Sequence, residues 1–341
     1  MTMNPKRATI KEVASTAGVS HQTVSRYLRY SGAGMKPQTQ KVIRAAIDEL
    51  DYRPNLAARA MRTTRTGRLA VVLPEGTAHS TIEVMNGLTS TAQAKGYDVD
   101  VVRVGGTGTA RDHRILELVE SGLFEGLLSL TPLTSPESAS RSGTRVTVYG
   151  IYDAHLRGIG PLADASPIDE LIARLAAVGH RRFLHLAGDY AHESARARRD
   201  TYRGAVERLG LESHGIVETH WLPEAARQAI RDLPGDSGVT AVIAANDLLA
   251  AAAIRGALER GWQVPGDISV TGFDTQPIGE WMTPSLTSVE IDCQALGRHA
   301  MCRLLAILAD VAPPTEERLV TAVRWHQSTG PASTASPPVQ K

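Results

Sequence analysis

TIKEVASTAGVSHQTVSR, residues 9–26, reads as two short helices joined by a tight turn. Thr9 and Glu12 have the spacing of a capping box, which starts the first helix. Ile10, Val13, Ala14 and Ala17 follow at helical spacing and make one apolar stripe. Gly18 stands where the chain must leave that helix, a position where a Cβ would be strained. Ser20 is a good N-cap for the second helix, and Val24 and Leu28 turn back into the small core. His21, Gln22, Ser25 and Arg26 fall on the opposite face. In a helix-turn-helix the early residues of the second helix enter the major groove. There Gln pairs bidentately with adenine, and Arg with the O6 and N7 of guanine. A merely solvated face would carry the same residues, but the turn, the caps and the segment that follows favour DNA.

In that segment Pro37 or Gln38 opens a third helix, with Val42, Ile43, Ala46, Ile47 and Leu50 as its buried stripe. Next comes YRPNLAARAMR, residues 52–62, with Pro54 as a break and Asn55 as an N-cap. Leu56 to Arg62 is too short to be a stable helix alone in water and needs a surface to fold against. Charge follows the same division. Residues 1–68 hold thirteen Lys/Arg and four Asp/Glu, a formal +9, which leaves −8 for the rest of a chain whose total is +1. A basic head on an acidic body suits a protein that docks one end on phosphate. Arg59, Arg62, Arg65 and Arg68 are placed to touch the phosphate backbone, or simply to keep a linker extended.

The remaining residues alternate strand and helix. Leu69 to Leu73 is a continuous apolar run of the buried parallel-strand kind. Ser80 and Glu83 repeat the capping-box spacing ahead of a helix ending near Gly96, then Asp98 to Val104 reads as a strand. A helix over 111–120 and strands over 126–130 and 146–149 follow. The rhythm resumes at Ser166, an N-cap followed by Pro167 at N1. It continues with strand 183–187, helices 195–209 and 223–231, strand 241–245, helix 247–260 and strand 268–272. A crossover over 284–291, a helix over 292–309 and a strand over 319–325 complete it. Such alternation predicts an α/β body of parallel sheets with helices on both faces, in two lobes. The domain reading is a helix-turn-helix domain at 1–54, a hinge and linker at 55–68, a two-lobed body at 69–330 and a disordered tail at 331–341.

Several classes are excluded. No apolar run is long enough to span a membrane, and Met1 to Lys6 does not lead into a signal peptide. Cys293 and Cys302 are nine apart in a predicted helix and read as core residues in a reducing cytoplasm. No Cys/His spacing suits zinc, and no cofactor is implied. The loop Gly105-Gly106-Thr107-Gly108 lacks the full phosphate-loop spacing and reads as a turn. There is no nucleophile elbow and no paired acid and base near the strand ends, so an enzyme is not expected.

Residues 9–26 and 52–62 resemble the head-piece and hinge of the lactose-repressor/galactose-repressor (LacI/GalR) family. The likeness extends to VGHRR at 178–182, AAND at 244–247, VPGDISVTGFD at 264–274, PSLT at 284–287 and STGP at 328–331. It implies an N-terminal all-α helix-turn-helix head on a two-lobed, periplasmic-binding-protein-like effector domain. It implies a DNA-binding set of Thr9, Ser20, His21, Gln22, Thr23, Ser25, Arg26, Asn55, Ala58 and Met61. His21, Gln22 and Arg26 would read the major groove. Asn55 to Met61 would lie in the minor groove, with Met61 where relatives carry a leucine wedge and Ala58 allowing close approach. His79 matches a position at the moving interface between amino-terminal lobes.

Ligands of open parallel sheets sit outside the carboxyl ends of the strands. Arg198, Asn246 and Asp274 lie there, and guanidinium, amide and carboxylate groups suit the vicinal hydroxyls of a sugar. The family carries sugar contacts at those three positions, and Trp221 could stack on a pyranose face. Asn246 and Asp247 also suit plain helix caps, Arg198 a surface ion pair, and Trp221 the core. Departures include Gly150 where relatives often place Asp, and Ile291 where some sugar binders carry Gln. The expectation is a cytoplasmic homodimeric repressor on a pseudo-palindromic operator, released by a di- or oligosaccharide such as a β-galactoside. The alternatives are a corepressor such as a purine or phosphosugar, and a sugar-binding protein that does not touch DNA.

Overall fold

The computed structural model describes residues 8–53, 65–76, 78, 80–106, 108–133, 143–315 and 321–333. It forms two compact units, Met1–Thr66 and Gly67–Lys341. The first holds α1 (Ile10–Thr16), α2 (His21–Tyr30) and α3 (Pro37–Glu49). The capping box forms as its spacing requires: Thr9 N donates to Glu12 and Glu12 N to Thr9 Oγ1. Gly18 takes φ +64° to leave α1, and Ser20 Oγ accepts from Thr23 N to start α2. Val13, Val24 and Ile43 are fully buried at the centre, with Tyr27, Met35 and Ala46 around them. Each aliphatic side chain so buried contributes about 1.5–3 kcal/mol. Gln40 adds a clasp that no sequence signal announces: its amide donates to Gly32 O and Met35 O, both at 3.0 Å, and fixes the 31–36 loop.

The second unit has two lobes. In the amino-terminal one β1 (Arg68–Pro74), β2 (Asp98–Val104), β3 (Gly126–Ser129) and β4 (Arg145–Val148) form a parallel sheet in the order β2-β1-β3-β4. Both faces of β1 are buried, which is why it reads as one apolar run. Leu69, Val71 and Leu73 meet α4 (Ser80–Ala94), while Ala70 and Val72 meet α5 (Thr109–Glu120) through Ile115 and Val119. In the carboxyl-terminal lobe β5 (Arg182–Ala187), β6 (Glu212–Glu218), β7 (Ala241–Ala244) and β8 (Ser269–Thr271) repeat the plan in the order β6-β5-β7-β8. α6 (Pro167–Ala177) and α7 (Glu193–Arg208) cover one face, and α8 (Pro223–Arg231) and α9 (Asp247–Glu259) the other.

The end of the chain ties the lobes together. β9 (Ser288–Ile291) leads into α10 (Cys293–Leu308), which crosses back to the amino-terminal lobe and packs on α4 beside Leu128 and Leu130. The two helices touch backbone to backbone. A Cβ on Gly297 would lie 1.9 Å from Val84 O, and one on Gly87 would lie 2.0 Å from Gln294 O. β10 (Thr321–Arg324) then returns to pair with β9.

Several expectations change. β6 was not legible: ESHGIVE has no apolar run, because an edge strand buries little and carries polar residues. The β9–β10 pair is antiparallel, unlike the two four-stranded sheets. Ser80 is the first residue of α4, not its cap, and its hydroxyl pairs with Tyr152 at 2.9 Å. Ser166 caps α6 without a side-chain bond to it and turns to Asp164 instead. Arg68 is bound within the lobe: it pairs with Asp100 at 2.7 Å and lies over Phe124. Cys302 is exposed and Cys293 half-buried, and both are free. Ala332 N donates to Val178 O at 3.0 Å, so the chain stays attached past residue 331. No helix among the described residues is long and apolar enough to cross a membrane.

Candidate functional site

In the first unit the caps decide which side chains are available. Thr9, Ser20 and Thr23 are tied into the ends of α1 and α2, and Ser20 Oγ also meets Thr23 Oγ1 at 2.9 Å. Val24 and Tyr27 point inward, which leaves His21, Gln22, Ser25 and Arg26 exposed on one outer face of α2. That face offers donors and acceptors at the amino end of a rigidly seated helix, the arrangement that base-edge readout needs. Asn55, Ala58, Met61 and His79 lie outside the described residues.

In the second unit Arg198, Trp221, Asn246 and Asp274 all come to the carboxyl edge of the β6-β5-β7-β8 sheet. Strand order reverses between β5 and β7, so the ligand crevice is expected between the segments that follow them. Arg198 rises there from α7. It is buried, donates Nη1 to Ala245 O and Nη2 to Asp274 Oδ1 at 3.2 Å, and lies 3.7 Å over the Phe273 ring. Its Nε finds no protein partner. Burial lowers its pKa, and the Asp274 carboxylate opposes that. Asp274 has φ +98° and keeps a third of its side chain exposed (35 %). The surface-pair alternative for Arg198 therefore fails: its guanidinium is buried beside a partly exposed carboxylate.

Asn246 does cap α9, its Oδ1 accepting from Leu249 N at 2.8 Å, and it stays half-buried at the same edge. Asp247 takes a different part. It is buried and accepts from Gln276 N and Ser288 Oγ, both at 2.5 Å, which fastens the segment that carries Asp274. Desolvation, with the Asp274 charge added, pushes its pKa up to about 6. Trp221 follows β6 with φ +62°. Its ring covers Gly188 so closely that a Cβ there would lie 2.2 Å from Cη2. His192, the residue before α7, meets it edge-on at 5.5 Å. The buried Nε1 of Trp221 has no partner. His192 and Gly188 escaped the sequence reading, since only the fold sets them against Trp221. Beside them Asp189, Glu218 and His220 hold their ligand atoms within 4.8 Å of one another, the one such metal-capable group among the described residues.

Two buried groups make opposing demands on pH. His185 sits under the sheet, donates Nδ1–H to Ile243 O and stacks on Tyr202, and burial lowers its pKa to about 4. Its stabilising contribution is present above about 6.5 and is lost as pH falls toward about 4. The raised Asp247 pKa has the reverse sign: its contribution is full below about 3.8 and is lost as pH rises through about 6. The two contributions therefore oppose each other between about pH 4 and about pH 6. Asp247→Asn removes one side of the balance. Its thermal midpoint is expected to fall more steeply than the wild type's from pH 6.5 to pH 4.5. Parallel profiles would reject the assignment.

With this geometry in place, the likenesses to known proteins agree on one family. Residues 9–55 match the bacterial regulatory proteins of the lacI family, and residues 172–329 match the periplasmic binding protein-like domain. The HTH-type transcriptional regulator CelR of Thermobifida fusca is 31 % identical, over 95 % of this chain and 98 % of its own length. The fold is similar to that of a Lac repressor dimer bound to operator and the anti-inducer ONPF, with TM-score 0.72 and 24 % identity over 95 % of this chain and 99 % of that one. It is also similar to a complex of the regulator CelR with cellobiose, with TM-score 0.58 and 24 % identity over 94 % of this chain and 100 % of that one. The chain thus belongs to the lacI family of bacterial regulatory proteins and is a DNA-binding transcriptional regulator with a periplasmic-binding-protein-like effector domain, not an enzyme.

Proposed function

We propose that this regulator is a homodimeric, cytoplasmic repressor that leaves its operator when a sugar enters the cleft between its lobes. The observation that carries the reading is the Arg198–Asp274 pair. It is a buried guanidinium with an unpartnered Nε beside a partly exposed carboxylate, set with Asn246 at the switch point of the sheet. Directed, charge-assisted hydrogen bonds of this kind hold the vicinal hydroxyls of a saccharide. Trp221 supplies an aromatic plane at the same edge, and the CelR structure similar to this chain holds cellobiose, which supports a di- or oligosaccharide.

In this reading His21, Gln22, Ser25 and Arg26 of two chains read two half-sites, and residues 55–61 of each lie in the minor groove between them. Exposed Leu222, Leu248, Ile278 and Trp281 offer apolar surface for a second copy to cover. Sugar closes the lobes, the amino-terminal lobes shift against each other, and operator affinity drops. A coupling of about 1–3 kcal/mol is typical of such linked sites.

The test is fluorescence anisotropy on the DNA beside the gene for this chain, at fixed salt, with a panel of mono- and disaccharides. Release by one sugar, at two chains per operator, supports the repressor reading and names the effector. Tighter binding on adding ligand would replace it with a corepressor reading. In the same assay Arg26→Ala is expected to relax preference at one base pair by about 1–3 kcal/mol. An equal loss on every sequence would make Arg26 a phosphate contact instead.

A further inference from the structure

The edge of the amino-terminal sheet holds a second unusual arginine. Arg111 is 7 % exposed, although it lies in the first turn of α5, where a cation opposes the helix dipole. Its Nη2 donates to Pro132 O at 3.0 Å, and its Nε and Nη1 have no partner. Two buried, unpaired N–H donors on a charged group are costly to leave unmet. A long side chain on a helix leans back toward the amino end, so this guanidinium reaches toward the start of α5. That start has no side-chain cap, because Gly108 stands at the N-cap position with φ +58°, and the leading backbone N–H groups are orphan donors. Pro132 lies just beyond β3, and sheet order reverses between β1 and β3. Arg111 is therefore at the ligand end of this lobe.

We propose that Arg111 and the amino end of α5 form an oxyanion subsite that takes the phosphate or carboxylate group of an acidic sugar effector. Orphan N–H groups and a helix dipole favour an anion at such a position, and Arg111 adds two directed donors. Glu75 lies against Gly105, and Asp112 sits in the same helical turn. These carboxylates oppose a purely electrostatic attraction, so the subsite selects a small oxyanion by hydrogen bonding. The inference rests on the effector reading above and narrows it from neutral to acidic sugars.

The experiment is calorimetric titration of the full chain with inorganic phosphate, a hexose 6-phosphate, a hexuronate and a neutral disaccharide, each followed by operator anisotropy. Wild type is expected to bind at least one anion, and phosphate against hexuronate shows which group the site takes. Arg111→Gln should weaken that binding tenfold or more. Ala110→Asp provides a control for folding. A carboxylate in the first turn suits the helix, so its thermal midpoint should hold or rise, while anion binding is lost. Anions bound equally by wild type and both variants, or by none, overturn the subsite. Release of operator by the neutral disaccharide alone, without anion binding, overturns the inference and leaves the effector reading standing. If no sugar alters operator affinity, the effector reading fails. Anion binding lost in both variants would then still support the subsite.

Discussion

Arg198→Ala is expected to weaken effector binding about 100-fold and to abolish release of the operator, with operator affinity itself unchanged. The size follows from what the side chain does. A hydrogen bond to a charged group contributes about 1.5–3 kcal/mol, and the bonds Arg198 would make to ligand hydroxyls are at the strong end because the group is desolvated. Losing about 3 kcal/mol is two orders of magnitude in affinity. Asp274 would be released from its 3.2 Å partner and left to turn into solvent, so its own contact with ligand would weaken as well. The reading surface of α2 belongs to the other compact unit, which is why DNA binding should survive. Operator titrations of the variant with and without sugar decide the matter. Lost operator affinity with an intact sugar response would refute the role.

The second large effect concerns packing. Gly297→Val should destabilise the effector unit by about 4 kcal/mol or more, since the new side chain would start 1.9 Å from Val84 O. Backbone cannot yield as a flexible side chain does, so α10 must lift off α4 and expose part of the Leu88–Leu296–Met301–Leu304 layer. The thermal midpoint should fall by about 10 °C. Gly204→Ala in α7 is the control. Nothing lies within 4 Å of a Cβ there, and a helical Gly→Ala change should be neutral or stabilising. A Gly297→Val protein as stable as the control would mean that the helices are not in backbone contact.

Local chemistry made the head legible. Caps at Thr9 and Ser20, the exit at Gly18 and the Val13–Val24–Ile43 core are all written within 35 residues. The two lobes were legible wherever a strand was buried on both faces. They were not legible at β6, whose polar edge has no pattern, nor where one group's role depends on a distant partner. Arg68 looked free for DNA until Asp100 was placed beside it. Asp247 looked like a cap until Gln276 and Ser288 arrived from 29 and 41 residues away. At the carboxyl edge of the β6-β5-β7-β8 sheet the types of Arg198, Asn246 and Asp274 were readable from the sequence, while the stacking of Trp221 on Gly188 and the burial of Arg111 arise only from tertiary packing.

The return of α10 to the first lobe also bears on how the chain is made. When β4 has left the ribosome, Leu128 and Leu130 still lack the helix that covers them, which ends 160 residues later at Leu308. At about 5–20 residues per second that is a wait of roughly 10–30 s. By then the β6-β5-β7-β8 sheet, complete at Thr271, has been synthesised in full. The lobe begun first thus waits for a helix made long after its own strands, so the nascent chain carries an open apolar face while those 160 residues are synthesised. Chaperone demand should concentrate there, and a chain truncated before α10 should aggregate through its amino-terminal half.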